Sequence, residues 1–120
     1  MEINSIPWAE ITIFLPLIII AATGYYFKNN PPKEINKITG YRTKRSMKSQ
    51  EAWDFAQVYS SGLLLTWSLA GIVGLALQLY NQKSRSPMTF TLTGIAVLLV
   101  IMAGTIYFTE KELKKNFGEN

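Results

Sequence analysis

Three long apolar blocks, separated by segments that hold nearly all the charge, dominate the sequence. They run from about residue 8 to 27, from 58 to 80 and from 88 to 108. About twenty helical residues span the roughly 30 Å hydrocarbon core of a bilayer. Because backbone polar groups in lipid must be satisfied within the segment, each block is predicted to be a helix. The predicted fold is therefore an all-α membrane protein with three transmembrane helices.

The segments between these blocks define the organisation of a single domain. A chain of 120 residues has material for one domain only. The connection 81–87 is so short that the second and third helices are expected to be antiparallel neighbours. Ser49 is expected to cap the second helix, with Trp53 at the membrane interface. The predicted order is helix one at about 8–27, a basic loop at 28–49, helix two at about 50–80, helix three at about 88–109 and a tail at 110–120.

Two absent residue types exclude much catalytic and metal-binding chemistry. The chain has no His and no Cys, which removes the imidazole base, the thiolate nucleophile and the usual ligands of zinc, haem and iron–sulfur clusters. Paired acids that would hold a metal for phosphate chemistry are also missing. We therefore predict no catalytic residue, no metal, no cofactor and a protein that is not an enzyme.

The basic residues are distributed unequally between the two sides of the membrane. Of the 12 Lys and Arg residues, ten lie in the loop and the tail, and two, Lys83 and Arg85, lie between helices two and three. Under the positive-inside rule this places the loop and the C-terminus in the cytoplasm and the N-terminus outside. The net charge of +4 is thus interpreted as a topology signal, with no nucleic-acid partner.

A motif lies in the basic loop and at the start of helix two. It consists of Asn36, the tetrapeptide Gly40-Tyr41-Arg42-Thr43, Ser46, Ser49 and Trp53. This pattern resembles the signature of the SdpI family of bacterial membrane proteins, named after an immunity protein that protects a cell from its own killing-factor peptide. The resemblance covers nearly the whole chain and implies a three-helix core in the bacterial inner membrane. Gln57 stands where many relatives carry Asn, so an amide is kept.

The tetrapeptide can also be interpreted from its chemistry. Gly40 permits a positive φ or a close backbone approach, Tyr41 combines an apolar ring with a polar tip, and Arg42 offers a planar fork for phosphate or carboxylate. One interpretation is a fixed turn that presents Arg42 to an anionic group. The alternative is structural, with Arg42 capping helix carbonyls or pairing with Glu51 or Asp54.

The polar residues of this region are assigned to two kinds of contact. The predicted ligand-binding or functional motif comprises Asn36, Gly40, Tyr41, Arg42, Thr43, Ser46, Trp53 and Gln57. Within it, Asn36 and Ser46 either cap local backbone or contact the ligand. Lys44, Arg45 and Lys48 are instead expected to contact the anionic headgroups of the lipid bilayer.

A stripe of polar and small residues runs along helix two. At alternating spacings of four and three, one face collects Trp53, Gln57, Ser60, Leu64, Trp67, Gly71, Gly74 and Gln78. Lipid disfavours such a face, and small residues allow close helix approach. We therefore predict that Gly71, Gly74 and Gln78 pack against the other helices. The alternative is a polar groove open to a ligand from the cytoplasmic end.

Three classes of function fit these features. The favoured class is a protein that binds or senses a membrane-active peptide and gives resistance or signals to a cytoplasmic partner. The charged tail, expected to extend helix three into water, would offer a surface to that partner. The second class is a small transporter or channel subunit that acts as a homo-oligomer. The third, a membrane enzyme acting on lipid phosphates, is disfavoured by the missing catalytic residues.

Overall fold

Three long α-helices make up most of the described chain. The computed structural model describes residues 7–81 and 86–118 and contains α1 (Trp8–Asn29), α2 (Gln50–Asn81) and α3 (Pro87–Phe117). Within those residues there is no strand, and each helix is long and apolar enough to cross a membrane. The predicted all-α membrane fold with three transmembrane helices is confirmed. Lys83 and Arg85, which the topology prediction counts on the outer side, lie outside the described residues.

The helix ends follow from local capping. Ser49 Oγ accepts a hydrogen bond from the Ala52 N–H at 3.1 Å, so Ser49 caps α2 as predicted. Ser86 Oγ accepts from the Thr89 N–H at 3.3 Å, and Pro87 follows in the first turn of α3, where a missing N–H is harmless. At its other end α3 stops before Gly118, which has a φ of 89°.

The third helix does not stop where its apolar part ends. It continues to Phe117, and Leu113 is buried with Ala52 and Ala56 of α2. The rings of Phe117 and Phe55 meet at an angle, with centroids 5.7 Å apart. The segment expected to extend into water therefore packs one of its faces against the first turns of α2.

All three helices contribute to an apolar core in the membrane part of the bundle. The buried side chains of this core are Ile13 and Leu17 of α1, Leu75 of α2, and Phe90 and Ile101 of α3. Large apolar side chains also cover the outside of the bundle, as expected for a surface that faces lipid. Among them are Ile18, Ile19, Leu69, Val73, Leu77, Leu92, Leu99 and Val100.

The stripe on α2 meets the other helices at some positions only. A Cβ on Gly71 would lie 3.0 Å from Val97 Cγ1 of α3, and Gln78 Nε2 lies 3.5 Å from Thr93 Oγ1. Gly74 is exposed, and a Cβ there would meet nothing within 4 Å. The predicted packing role of Gly74 is therefore wrong. A step of three residues turns the helix about 60° short of a full circle, which carries Gly74 past the edge of the interface.

A closer helix contact occurs at a glycine that the stripe does not include. A Cβ on Gly24 of α1 would lie 2.8 Å from both the Leu65 nitrogen and the Ser61 carbonyl oxygen of α2. Those are backbone atoms, which cannot move aside as a side chain can. Gly24 therefore allows α1 and α2 to approach backbone to backbone.

Candidate functional site

The loop 30–49 is attached to α2 by the side-chain amide of Gln57. Gln57 Oε1 accepts from the Tyr41 N–H at 2.7 Å, and Gln57 Nε2 donates to the Tyr41 carbonyl at 2.9 Å. The amide thus pairs with both polar backbone groups of one residue, and its side chain is buried. Because the pairing is two-fold, it fixes the orientation of Tyr41 as well as its position.

Gly40 is needed for this pairing in two ways. Its φ is +99°, in the left-handed region that side chains disfavour. A Cβ at Gly40 would also overlap Gln57 Oε1 and would lie 2.9 Å from Pro32 Cγ. Gly40 thus has both the positive φ and the close approach that its place in the motif was expected to permit.

Two further side chains of α2 hold the first part of the loop. Trp53 is fully buried, and its Nε1 donates to the Pro32 carbonyl at 2.7 Å. One turn earlier, Gln50 Nε2 donates to the Lys33 carbonyl at 2.6 Å. Together with Gln57 these residues hold the loop along the first two turns of α2.

Asn36 and Ser46 cap backbone within the loop. Asn36 Oδ1 accepts from the N–H groups of Ile38 at 2.9 Å and Thr39 at 2.7 Å. Ser46 Oγ accepts from the Thr43 N–H at 2.8 Å and lies 3.0 Å from the Tyr41 carbonyl, to which it can donate. Ser46 is completely buried. These residues were expected either to cap local backbone or to contact a ligand, and in the structure both cap local backbone.

Tyr41 and Arg45 connect the loop to α3 through Glu110. The Tyr41 hydroxyl donates to Glu110 Oε1 at 2.8 Å, and Arg45 Nη1 lies 3.0 Å from Glu110 Oε2. Burial and the hydrogen bond to the Glu110 carboxylate raise the pKa of Tyr41 above its usual value. The phenol therefore stays a neutral donor at physiological pH.

These contacts bear on two charged residues. Arg45 was expected to contact lipid headgroups, which stays a prediction, and its guanidinium pairs with Glu110, since α3 reaches the level of the loop. Glu110 was assigned to a tail in water and was missed as a site residue. An acid two residues beyond an apolar block, at the level of a basic loop, is the signal that points to it. Lys44 and Lys48 are exposed.

A groove with polar and apolar walls opens beside the motif. This loop groove has a volume of about 360 Å³ and lies between the three helices at the end covered by the loop. Its residues are Thr23 and Phe27 of α1, Ser60 and Leu64 of α2, Met102, Thr105 and Ile106 of α3, and the tetrapeptide 40–43. Such a volume is typical of small-ligand sites.

Arg42 lies at the rim of the loop groove. Its side chain is exposed, and Nη1 donates to the Lys37 carbonyl. The structural interpretation expected Arg42 to cap helix carbonyls or to pair with Glu51 or Asp54, whereas the carbonyl that it meets belongs to the loop. One side of the guanidinium is thus held by the loop, and the guanidinium has further N–H groups in its planar fork.

The sequence between residues 33 and 109 matches the SdpI/YfhL protein family. The chain belongs to this family. It is also 40% identical over 100 residues to a Bacillus subtilis (strain 168) protein named "Uncharacterized protein YfhL", a match covering 82% of this chain and 80% of that protein. No solved structure matches the chain.

Membership in the SdpI/YfhL family agrees with the three apolar helices, and the protein is a multi-pass membrane protein. The matched span contains the whole predicted motif from Asn36 to Gln57 and stops one residue before Glu110. It also contains the α2 and α3 walls of the loop groove. Across residues 7–81 and 86–118, no three acidic side chains are grouped closely enough to hold a metal ion.

Proposed function

We propose that the loop groove binds a membrane-active peptide, and that this binding gives the bacterial cell resistance or is signalled to a cytoplasmic partner. The observation that carries the proposal is the position of Arg42 at the rim of a groove whose walls are partly apolar. A peptide that enters membranes can use both the apolar walls and the Arg42 guanidinium, because it combines apolar side chains with carbonyl or carboxylate groups.

The walls of the loop groove fit such a ligand. Phe27, Leu64 and Met102 offer apolar surface, and Ser60 and Thr105 add hydroxyl groups. A guanidinium binds a carboxylate through two parallel hydrogen bonds, which fixes orientation as well as charge. The Gln57–Tyr41 pairing and the positive φ of Gly40 hold the turn that presents Arg42, so little ordering is left for the ligand to cause.

The burial of polar side chains of α2 favours binding over the alternatives. A channel assembled by symmetry would need polar residues facing a shared pore. Gln57, Ser60, Ser61 and Ser68 are instead buried inside a single chain. A membrane enzyme on lipid phosphates gains no support, since no three of the acidic residues that the structure describes are grouped to hold a metal ion.

A route for signalling starts at Tyr41. This side chain lines the loop groove and also donates to Glu110 of α3. A ligand that displaces the Tyr41 ring would break that hydrogen bond and leave the carboxylate of Glu110 paired with Arg45 alone. The last turns of α3, which pack on α2 through Leu113, would then be the part that a cytoplasmic partner detects.

The proposed orientation has the loop and the C-terminus in the cytoplasm of the inner membrane. Because the chain has no Cys, labelling of a single introduced cysteine shows on which side of the membrane that position lies. Ile38→Cys in the exposed loop should be protected from an impermeant thiol reagent added to intact cells, while Asn81→Cys at the other end of α2 should react. The reverse pattern would overturn the orientation.

The test of function is survival of cells challenged with a panel of membrane-active peptides. Cells with the parent chain should resist at least one peptide to which cells lacking it are sensitive. Arg42→Lys keeps the charge but loses the bidentate fork, so protection should fall sharply. Lys44→Gln, a change at an exposed neighbour, should protect as the parent does.

A second measurement separates binding from folding. The Arg42→Lys protein should insert and melt in detergent as the parent does, apart from the small effect of its exposed hydrogen bond to Lys37. Equal protection by the parent, Arg42→Lys and Lys44→Gln would make Arg42 a topology charge only. A large loss of thermal stability in Arg42→Lys would instead assign it a structural role.

A further inference from the structure

A second pocket lies between the loop and the outer face of α3. This basic pocket has a volume of about 290 Å³ and is lined by Arg45 of the loop and by Tyr107, Glu110, Lys111 and Lys114 of α3. It shares no lining residue with the loop groove. Three of its five residues are cationic and one is acidic, so the pocket has an excess of positive charge.

The single carboxylate of the basic pocket is already engaged on both oxygens. Glu110 Oε1 accepts from Tyr41, and Oε2 pairs with Arg45 at 3.0 Å. The pair holds the Arg45 guanidinium against α3. Glu110 therefore positions one cation of the pocket, and each of its oxygens already has a partner.

The other three residues of the basic pocket lie on one face of α3. Tyr107, Lys111 and Lys114 follow one another at spacings of four and three, which places them on one face of the helix. Tyr107 and Lys111 are exposed. The face thus places a phenol hydroxyl and the positive charge of two lysines beside the guanidinium of Arg45.

The basic pocket lies at the level of lipid headgroups. The apolar part of α3 ends at Phe108, so Lys111 and Lys114 lie within the next two turns, and tyrosines favour this interface. Basic pockets between helices at the end of a membrane span are typical sites for phospholipid phosphates, because ammonium and guanidinium groups donate strong hydrogen bonds to phosphate oxygens.

We propose that the basic pocket binds the phosphate of an anionic phospholipid headgroup, a site separate from the loop groove. Arg45 provides the guanidinium N–H groups that Glu110 does not engage, Lys111 and Lys114 provide charge, and the Tyr107 hydroxyl donates to a phosphate oxygen. Free inorganic phosphate has the same chemistry and is the second source of such a ligand. The site does not depend on the function proposed for the loop groove.

The test is thermal unfolding of the purified full chain in neutral detergent, titrated with dihexanoyl phosphatidylglycerol. The parent should be stabilised by this lipid and not by dihexanoyl phosphatidylcholine. In Lys111→Gln/Lys114→Gln the half-saturating lipid concentration should rise by about 25-fold, at about fivefold for each lysine. Lys33→Gln/Lys37→Gln removes the same charge from exposed loop positions outside the pocket and should titrate as the parent does.

Each outcome bears on the site. Equal weakening in the two double variants would overturn the proposal, since binding would then follow net charge and not the pocket. Stabilisation by phosphatidylcholine to the same extent would overturn it too. Stabilisation by inorganic phosphate at the same concentrations, lost in Lys111→Gln/Lys114→Gln only, would keep the site and make free phosphate its ligand. If that double variant does not fold, Lys111→Gln alone should show the fivefold change.

Discussion

The two ends of the helix bundle are held together by different interactions. At the loop-side end, buried polar groups pair across elements, as in Gln57 with Tyr41 and Trp53 with Pro32. At the far end, the contact between helices is made by apolar side chains such as Leu75 and Phe90. Hydrogen bonds require direction as well as distance, whereas apolar packing is non-directional.

This difference locates the part of the protein that can position a functional group. Apolar packing brings the helices together but does not select one loop conformation. The hydrogen bonds of the loop-side end select one, and it presents Arg42 at the rim of the loop groove. Substitutions of the same kind at the two ends should therefore have unequal effects.

The largest difference is expected between two glutamines of α2. Gln57→Leu removes both hydrogen bonds to Tyr41 and leaves the Tyr41 N–H without its partner, at a cost of about 3 kcal/mol in the free energy of unfolding. Gln78→Leu makes the same change at the far end, where the amide has one long contact of 3.5 Å to Thr93. Its cost should be under about 1 kcal/mol.

Denaturant-dependent unfolding of both variants in detergent micelles measures this difference. Similar losses at Gln57 and Gln78 would mean that the two ends are held in the same way. The loop-side variant should also lose protection against the peptide, because Tyr41 and the turn before Arg42 are no longer held.

A smaller effect is expected at the glycines of the far end. Gly71→Leu inserts a side chain where Val97 is already within contact distance, and should cost about 2 kcal/mol through overpacking. Gly74→Leu adds a side chain on an open, exposed surface and should change the free energy of unfolding by less than about 0.5 kcal/mol. Thermal melts of the two proteins in the same detergent compare them directly. Equal destabilisation would place Gly74 at a helix contact after all.

The smallest effect concerns the hydrogen bond between loop and α3. Tyr41→Phe removes the hydroxyl that donates to Glu110 and should cost about 1 kcal/mol at pH 8. Burial and Glu110 raise the pKa of Tyr41 in the folded state, whereas the unfolded chain has the ordinary pKa of about 10. At pH values above about 10, unfolding therefore releases the Tyr41 proton. The contribution of Tyr41 is complete below pH 10 and decreases as the pH rises toward the folded pKa.

The free-energy difference between Tyr41→Phe and the parent should therefore narrow above pH 10, as measured by unfolding at a series of pH values. Tyr80→Phe changes an exposed tyrosine and should be close to the parent at pH 8. A difference at Tyr41 that stays constant up to pH 11 would contradict the raised pKa of Tyr41.

Much of the fold could be predicted from the sequence because it depends on local properties. Apolar block length is sufficient to predict three spanning helices, and Ser49 precedes a helix start as capping residues do. Gly40 has the positive φ that its place in the motif suggested. Each of these properties is visible within a few residues of the chain.

The remaining features depend on contacts between residues far apart in sequence. Glu110 lies 69 residues from Tyr41, and its place just beyond an apolar block does not say which loop residue it pairs with. The face of α2 was predicted by spacing, but spacing does not say how wide the interface is, which is why Gly71 and Gly74 differ. Gly24 was missed since its partner is backbone, which has no sequence signature.

The central claim is tested most directly with a peptide to which the parent chain gives resistance. Its affinity is measured for a variant in which an introduced side chain fills the loop groove. Thr23 is exposed and lines the groove, whereas Thr66 is exposed on α2 and does not line it. Purified Thr23→Trp should bind the peptide at least about tenfold more weakly than the parent, while Thr66→Trp should bind as the parent does. Unchanged affinity in Thr23→Trp, with the fold intact, would contradict the assignment of the loop groove as the binding site.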